Sequence, residues 1–394
     1  MDKSSHYSER GHLEYYKAHG ISPVRYDLTD LAAHFDRRSS LYRTVGLIGL
    51  AFRGAHVLEI APGSGHNSLY VAHTAPAIYH LVEPNPAAIT DIQKAYAGFT
   101  LEHTTPRLFE SQFEDFVPPI PYDIVICENW LGSLPRERNL IRRLPVLLRP
   151  GGVLVMTLVP VSGFLANTLR KLIANCIIPA DVDFQVKTDL AVKSFGPHLE
   201  TIKGMTRSHV DWARDCMLNP HYLNVALPLS LVLDDIGSEM EVLGSNPSFA
   251  TDWRWFKTLH GDARRFNDVY KSGYISNIHN FMDYRHVYPA RQEHENAEIE
   301  TLCLELHAEA VANERRMAGE NHLPRDTAGS FLAKMDLLIS ELSDISAELA
   351  DAFHEAADLL AADRITPDDV RRMRYFNTLF GRETIYLSLN RKQP

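Results

Sequence analysis

Two carboxylates and two glycines near the start of the chain have the types and spacing of a nucleoside-binding site. Glu59 lies at the end of the apolar run that begins at Val57, and Gly63 and Gly65 follow in a short turn. Glycines allow the backbone to approach a ligand closely, and the helix predicted to begin at about Ser68 adds unpaired N–H groups. Glu83 ends the next apolar run, where a carboxylate can accept both hydroxyls of a ribose. The pattern predicts a nucleoside pocket at the carboxyl ends of adjacent parallel strands.

The elements that would position these residues are short apolar runs separated by segments of helical length. This alternation indicates right-handed crossovers and a parallel sheet. We predict strands over residues 56–60, 78–83, 122–127 and 153–159, a later strand over 240–243 and a final one over 384–390. We predict helices over 136–148, 163–178 and 208–219, and a helix that begins at Thr366-Pro367, where threonine can cap the helix and proline fits its first position.

The glycine turn departs from the pattern of nicotinamide dinucleotide sites. That pattern has glycines spaced G-x-G-x-x-G, whereas here Ala61 holds the first glycine position and His66-Asn67-Ser68 follows Gly65. The turn instead resembles the first motif of class I S-adenosylmethionine-dependent methyltransferases. Further segments resemble later motifs of that family in its order and spacing, namely Val82-Glu83-Pro84-Asn85, Ser111 to Phe116, Asp123 to Asn129 and Leu147 to Leu154.

The resemblance covers residues 50–160 and, by analogy, the final strand. It implies an α/β fold with a doubly wound, mostly parallel seven-stranded sheet of the Rossmann-like methyltransferase type, and S-adenosyl-L-methionine as the cofactor. Carried over by position, Glu59, Gly63 and Gly65 would line the methionine moiety, Glu83 would hold the ribose, Gln112 and Phe113 would frame the adenine, and Glu128 would face the sulfonium. Ala61 and Asn67 are also assigned to cofactor binding. Asn129 would face the incoming nucleophile beside Glu128.

Two later segments are dense in aromatic and ionisable groups. One contains Trp253 and Arg254, and the other contains His279, Tyr284 and Arg285. We predict that these residues wall the pocket for the methyl acceptor, with His279 as a general base because its ordinary pKa lies near 6.5. We assign catalytic roles to His279, Glu128, Tyr284 and Arg285. The alternative is a polar network that braces the fold, with the tryptophans in the core.

The chain is predicted to divide into four parts: an N-terminal helical lid over 1–50, a methyltransferase core over 51–261, a helical insertion over 262–377 and the final strand of the core sheet over 378–394. The lid would include the N-terminal aromatics with Arg37 and Arg38, and the alternative is a helix that packs on the sheet. In the insertion, apolar residues spaced by threes and fours from Phe331 to Leu360 predict one long amphipathic helix. Its stripe would be buried within the chain, with a homodimer interface or a docking platform for a larger substrate as alternatives.

Composition excludes several classes of protein. The chain has 394 residues, 45% of them hydrophobic, and a net charge of −10, which disfavours a broad nucleic-acid surface. The segment after the fourth strand reads Glu128-Asn129-Trp130-Leu131, which lacks the Asn/Asp-Pro-Pro-Tyr motif of amino methyltransferases for nucleic acids. The four cysteines are widely spaced and the 19 histidines are scattered, so we predict no disulfide framework and no metal site. We see no signal peptide and no apolar run long enough to span a bilayer, and we expect a cytoplasmic protein without membrane partners.

The sequence therefore predicts a methyltransferase that acts on an oxygen or nitrogen nucleophile of a small molecule, such as a sugar, a natural product or a modified peptide. Aminopropyl transfer fits less well, because the segment after the fourth strand is a poor match to the acidic motif of that subclass. A different alternative is a cofactor-binding subunit whose helical block recruits a partner protein.

Overall fold

The computed structural model describes residues 11–23, 25–99, 104–317 and 322–393. The chain divides into two compact units. Unit 1 consists of residues 1–158, 227–274 and 384–394, and unit 2 consists of residues 159–226 and 275–383. Unit 2 thus combines residues 159–226 with residues 275–383. The predicted helical insertion differs from this unit, because it covers residues 262–377 and leaves out the earlier segment.

Unit 1 is built on a sheet that has seven strands in the described ranges. The strands are β1 (His56–Ile60), β2 (Ile78–Val82), β3 (Arg107–Phe109), β4 (Tyr122–Cys127), β5 (Leu148–Leu158), β6 (Met240–Asn246) and β7 (Ile385–Arg391). Their order is β3-β2-β1-β4-β5-β7-β6. The pairs among β1 to β5 are parallel, and β7 is antiparallel to both of its neighbours. The predicted α/β fold with a mostly parallel seven-stranded sheet is confirmed.

The helices connect and cover these strands. In chain order they are α1 (Gly11–His19), α2 (Leu31–Thr44), α3 (Gly49–Phe52), α4 (Ser68–His73), α5 (Pro86–Ala97), α6 (Pro135–Arg143), α7 (Val161–Ile177), α8 (Phe184–Leu199), α9 (His209–Trp212), α10 (Leu229–Asp235), α11 (Phe266–Ser276), α12 (Glu293–Met317), α13 (Arg325–Ser343), α14 (Ala347–Ala361) and α15 (Pro367–Arg371). The predicted capping of α15 is present, since Thr366 and Asp369 form a reciprocal capping box.

The core of unit 1 lies between the sheet and the helices α2, α4 and α5. Val57, Leu81 and Ile126 on the strands are fully buried, and they pack with Tyr42 of α2 and Val71 of α4. Apolar burial is the main contribution to stability in such a layer. The same packing holds α2 beside the carboxyl ends of the strands, where the candidate site described below lies.

The regular secondary-structure elements of unit 2 in its described residues are helices joined by turns. The apolar stripe from Phe331 to Leu360 is buried inside this unit, as expected for the default interpretation. The prediction of one long helix is wrong, because the stripe is divided between α13 and α14. α13 ends at Ser343, and the Ser346 side chain accepts a hydrogen bond from the Leu349 N–H at the start of α14. A serine at this position favours a new helix start over an uninterrupted helix.

In the described part of the chain, no helix is both long and apolar enough to cross a membrane.

Candidate functional site

The turn between β1 and α4 has three residues in the left-handed backbone region. They are Ala61 (φ 53°), Gly63 (φ 59°) and Gly65 (φ 75°). The two glycines are required by space as well as by angle: a Cβ at Gly63 would lie 3.0 Å from the Pro23 carbonyl oxygen, and one at Gly65 would lie 2.8 Å from a side-chain carbon of Ile92. Ala61 adopts an angle that costs an L-residue about 1 kcal/mol or more. The turn is therefore strained at the position where the family motif has glycine.

Glu83 follows β2 and is buried against this turn. Its two carboxylate oxygens accept hydrogen bonds from the Gly63 N–H (3.1 Å) and the Asn85 N–H (2.9 Å). Burial raises the pKa of Glu83 to about 7, although the two backbone hydrogen bonds oppose the shift. The structure thus joins the residues that the sequence placed 20 positions apart.

Glu59 lies inside β1, one residue before its end, and is 4% exposed. The Tyr79 hydroxyl of the neighbouring strand donates a short hydrogen bond to it. Burial, and then the charge of Glu128, raise the pKa of Glu59 to about 7. A cation that entered this turn would stabilise the ionised carboxylate.

Glu128 follows β4 and pairs with a buried arginine from α2. Arg38 Nη2 lies 2.7 Å from Glu128 Oε1 and also donates to the Tyr42 hydroxyl at 2.8 Å. The Tyr42 hydroxyl in turn donates to the same carboxylate oxygen at 3.1 Å. The other oxygen, Oε2, is buried without a hydrogen-bond partner in the described residues. Arg38 was predicted as part of a lid, and its contacts are those of a helix that packs on the strand ends.

Three carboxylates, Glu59, Glu83 and Glu128, therefore lie at the carboxyl ends of β1, β2 and β4, and Arg38 is the cation paired with one of them. Because carboxylates outnumber this guanidinium, the buried edge has an excess of negative charge when all are ionised. Such an edge favours a cationic ligand over a neutral one of the same shape.

An N-terminal segment lies across the glycine turn; we call residues 21–23 and 25–26 the cover segment. Pro23 accepts a hydrogen bond from the Ser64 N–H (3.3 Å), and Ile21 accepts one from the Asn85 side chain (2.9 Å). The Tyr26 N–H donates to the His66 ring (3.0 Å).

The cover segment is also fastened to α5. Arg25 Nε lies 2.6 Å from a carboxylate oxygen of Asp91. These contacts place the cover segment over Gly63, which the sequence assigned to methionine binding. They also place it over Asn85, which lies two residues after Glu83, the residue assigned to ribose binding.

The residues assigned to the adenine lie after β3. Phe113 is 2% exposed, and its ring meets that of Trp130 edge to face at 5.9 Å. Arg143 donates to the Phe113 carbonyl (3.1 Å) and lies over its ring. The side-chain oxygen of Gln112 is buried without a hydrogen-bond partner among the described residues. An apolar wall beside an unpaired amide oxygen can receive a flat base and its amino group.

Asn67 and Asn129 flank the edge. Asn67 immediately precedes α4, and its side chain makes no capping hydrogen bond there. Asn129 has φ 52°, and its N–H donates to the Thr157 hydroxyl of β5 (2.7 Å). A non-glycine residue in this region marks a turn whose shape is imposed by its surroundings.

These strand directions, with antiparallel β7 between β5 and β6 and a glycine turn between two acidic strand ends, define the class I methyltransferase fold. Residues 58–154, about a quarter of the chain, match a family model described as a methyltransferase domain. This part of the chain is an S-adenosylmethionine-dependent methyltransferase domain, and the resemblance found in the sequence is confirmed. Its cofactor is S-adenosyl-L-methionine. The buried oxygens of Glu128 and Gln112 that have no hydrogen-bond partner among the described residues fit such a group.

Solved structures give weaker likenesses, and no curated protein matches in sequence. A Thermoplasma acidophilum protein is 23% identical over 27% of this chain and 44% of its own, with a TM-score of 0.24, so the chain spans less than half of that relative. The Bradyrhizobium japonicum N-methyltransferase NodS, solved with S-adenosyl-L-homocysteine, is 16% identical over 37% of this chain and 72% of its own, with a TM-score of 0.30. The cyclase SpnF is 12% identical over 97% of this chain and 94% of its own, with a TM-score of 0.37. None of these likenesses assigns a substrate.

The residues predicted to bind the acceptor fall in both units. In unit 1, Trp253 is 91% exposed, and Arg254 forms a two-pronged ion pair with Asp252 (2.8 and 2.6 Å) and donates to the Ala263 carbonyl (2.8 Å). The expected core position of the tryptophan in the structural alternative is wrong. The Arg254 guanidinium already donates hydrogen bonds to Asp252 and to the Ala263 carbonyl. In this arrangement it has no pair of N–H groups left to bind a carboxylate of the acceptor.

In unit 2, His279 is 1% exposed and uses both ring nitrogens. Nε2 lies 3.1 Å from the Pro289 carbonyl oxygen, and Nδ1 lies 3.0 Å from the Asn296 side-chain nitrogen. Burial lowers the pKa of His279. These contacts favour the bracing alternative over the role of a general base, which stays a prediction.

Tyr284 and Arg285 of unit 2 are similarly engaged. The Lys203 N–H points to the Tyr284 hydroxyl at 3.4 Å. Arg285 pairs with Asp283 (2.7 Å) and Glu348 (2.9 Å), and its Nη1 donates to Thr378 (2.9 Å). Both residues hold segments of unit 2 together, and their predicted roles in acceptor binding are untested.

Sequence reasoning missed Tyr79, and it placed Tyr42 and the cover segment in a lid without connecting Tyr42 with Glu128. Tyr42 follows Arg38 by one helical turn, which is a detectable spacing. Nothing in the sequence connects Arg38 or Tyr42 with Glu128, which lies 90 positions beyond Arg38. In the described residues, no group of three or more His, Cys, Asp or Glu side chains is arranged to hold a metal ion.

Proposed function

We propose that the protein is a methyltransferase that transfers the methyl group of S-adenosylmethionine to an oxygen or nitrogen nucleophile of a small molecule. The observation that carries the proposal is the buried acidic edge formed by Glu59, Glu83 and Glu128 around a glycine turn. Its excess negative charge suits a sulfonium cofactor, and its position at the sheet edge suits transfer to a second ligand.

The cofactor supplies an activated methyl group, so the residues of the chain have mainly to bind, align and exclude water. Glu83 would accept hydrogen bonds from the ribose hydroxyls, and Gln112 with Phe113 would hold the adenine. Arg38 pairs with Glu128 Oε1 and orients the carboxylate, and Glu128 Oε2 can accept a hydrogen bond from the nucleophile. A carboxylate in this position can also receive the proton that an alcohol or ammonium group must lose.

The acceptor class that we propose is a sugar, a natural product or a modified peptide, and we propose no nucleic-acid partner and no membrane partner. Among the predicted acceptor residues, we propose that His279, Tyr284 and Arg285 of unit 2 act on the acceptor. If they act on the acceptor, His279→Ala and Arg285→Ala should lower methyl transfer by about 100-fold with cofactor affinity unchanged. If both variants instead melt several degrees lower while turnover per folded molecule is unchanged, these residues are structural.

We further propose that residues 1–50 act as a lid over the cofactor, through the cover segment. Its contacts with Ser64, Asn85, His66 and Asp91 support closure over the turn. A bound cofactor would then protect residues 21–26 from hydrogen exchange, whereas an N-terminus that merely packs on the domain would show equal protection with and without it. We also propose a homodimer through the helical insertion over 262–377, which sedimentation would test.

Calorimetry with Glu83→Ala tests the site. Loss of the ribose contact should cost about 2 kcal/mol, or about 30-fold in affinity for both S-adenosylmethionine and S-adenosylhomocysteine. Asp235→Asn is a matched control, because Asp235 is also a buried carboxylate of unit 1 but pairs with Arg138 and Arg142. Unchanged binding in Glu83→Ala would refute the ribose assignment.

The reaction is tested with cell extracts and cofactor that carries an isotope-labelled methyl group. Labelled small molecules detected by mass spectrometry only with the active protein would support the proposal. Tight cofactor binding with no labelled product, together with a stable complex formed with a second protein, would favour the alternative of a cofactor-binding subunit.

A further inference from the structure

Ser22 of the cover segment is a buried polar residue that the site described above does not use. It is 4% exposed, and its hydroxyl oxygen has no hydrogen-bond partner among the described residues. A buried hydroxyl without a partner costs free energy, so most buried hydroxyls in folded proteins are paired. An exception in a segment that lies across a ligand site is a candidate contact for the ligand.

Two buried serines on β6 and β7 provide a comparison. Ser245 is 2% exposed, and its hydroxyl donates to the Pro247 carbonyl (2.9 Å). Ser388 is fully buried, and its hydroxyl donates to the Val45 carbonyl (2.6 Å). Each of these hydroxyls is paired with the backbone of the domain, whereas the hydroxyl of Ser22 has no such partner in the described part of the chain.

The backbone on both sides of Ser22 is held against the cofactor site. On one side, the Ile21 carbonyl accepts a hydrogen bond from the Asn85 side chain (2.9 Å). On the other side, the Pro23 carbonyl accepts one from the Ser64 N–H (3.3 Å). The cover segment is thus fixed both one residue before and one residue after Ser22.

The same two attachment points also bind the Glu83 carboxylate. That carboxylate accepts hydrogen bonds from the Asn85 N–H (2.9 Å) and from the Gly63 N–H (3.1 Å), and Gly63 is adjacent to Ser64 in the chain. Ser22 is therefore held across Glu83, between the residues that bind this carboxylate on either side. Because the Ser22 side chain is buried, it points into the domain and not to solvent.

We propose that the Ser22 hydroxyl binds the ribose of S-adenosylmethionine together with Glu83. An ionised carboxylate only accepts hydrogen bonds, so Glu83 takes the protons of the ribose hydroxyls, and the oxygens of these hydroxyls keep lone pairs that can accept. The Ser22 O–H supplies the matching donor. The proposal rests on the assignment of Glu83 to the ribose, and it adds a contact from the cover segment.

This contact links cofactor binding to closure of the cover segment. Without ligand, the closed segment buries a hydroxyl that has no partner, which disfavours the closed state. A bound ribose provides the partner and so stabilises the closed state. A ligand shifts a conformational equilibrium only through such a difference in contacts between the two states.

Calorimetry on the full chain tests the proposal with S-adenosylhomocysteine and with methylthioadenosine. Both ligands contain the ribose, but methylthioadenosine lacks the amino-acid group. We expect Ser22→Ala to lower the affinity for both ligands by the same factor, about fivefold to tenfold. The free energy of unfolding of this variant in urea should be unchanged or higher, because the hydroxyl that is removed has no partner in the described residues.

The matched control is Ser245→Ala, which removes a buried hydroxyl that is paired. This variant should unfold at a lower urea concentration and bind both ligands as the wild type does. The proposal is overturned if Ser22→Ala binds both ligands with wild-type affinity, or if it loses affinity for S-adenosylhomocysteine only. It is also overturned if Ser22→Ala loses as much stability as the control, which would make the hydroxyl structural.

Two further measurements separate the parts of the proposal. If Glu83→Ala weakens binding and Ser22→Ala does not, the serine contact fails while the ribose assignment stands, and unchanged binding in Glu83→Ala would reject the assignment itself. In hydrogen exchange, saturating S-adenosylhomocysteine should increase the protection of residues 21–26 more in the wild type than in Ser22→Ala. Equal increases in both proteins would overturn the link to closure.

Discussion

Binding of S-adenosylmethionine should release protons from the acidic edge near neutral pH. Glu59 and Glu83 each have a pKa of about 7, against an ordinary value of 4.5, because burial disfavours the charged form. Each is therefore about half protonated at pH 7. A ligand that brings positive charge to Glu59 and hydroxyl donors to Glu83 favours ionisation of both, so the complex should release up to about one proton at pH 7.

The magnitude follows from the same shifts. Returning one carboxylate from a pKa of about 7 to 4.5 corresponds to about 3 kcal/mol. Affinity for S-adenosylmethionine should thus rise between about pH 5 and pH 8 and level off above. The free energy of unfolding of the free protein has the opposite pH dependence. Because the pKa is raised in the native state, each carboxylate contributes stability that is fully present below pH 4.5 and is lost as the pH rises through about 7.

Calorimetry at pH 7 in two buffers with different ionisation enthalpies measures the proton release directly. S-adenosylhomocysteine lacks the sulfonium charge and should release about half a proton less. In Glu59→Gln this difference between the two ligands should disappear, and the free variant should be more stable than the wild type at pH 8 by about 3 kcal/mol or less. Asp235→Asn should retain the wild-type proton release. The reasoning is refuted if wild-type binding releases no protons and affinity is constant from pH 5.5 to pH 8.

Three further outcomes follow from the site and the sheet. Ala61→Gly should raise the free energy of unfolding by about 0.5–1 kcal/mol in urea titrations, because glycine relieves the left-handed strain; a loss of stability would contradict this. Arg38→Met should lower it by about 3–5 kcal/mol by leaving Glu128 unpaired, and Arg38→Met/Glu128→Gln should recover most of that loss, whereas additive losses would show that the pair is not coupled. Deletion of residues 384–394 should abolish cooperative unfolding of unit 1, since it removes the strand between β5 and β6; a truncated protein that melts as the full chain does would count against this.

The sequence was sufficient for the parts of the fold in which local pattern and tertiary structure agree. β1, β2 and β4 are short buried apolar runs, and each is followed or ended by the acidic residue that faces the site. β3 was not predicted, because its three residues are only partly buried and carry no clear apolar signal. The break between α13 and α14 was missed because the spacing of apolar residues continues across Ser346.

Contacts between distant segments account for the remaining differences at the site. Glu128 has an arginine partner 90 positions away, and the pattern around each residue gives no sign of the pair. The density of polar groups near His279 predicted a pocket, but similar groups satisfy one another when buried, as His279 does with Asn296. Composition alone does not distinguish these two outcomes.

The position of β7 has a consequence for the order in which the chain can fold during synthesis. β6 has no partner in the described sheet other than β7, and Ser388 of β7 donates a hydrogen bond to the Val45 carbonyl, 343 positions earlier. At typical rates of translation, β5 and β6 would wait on the order of 10 s or more for residues 385–391. All of unit 2 precedes Thr384, so its helices can assemble on the ribosome while the edge of β5 is still open. Nascent chains of this protein should therefore depend on chaperones that cover exposed strand edges until the last strand is released.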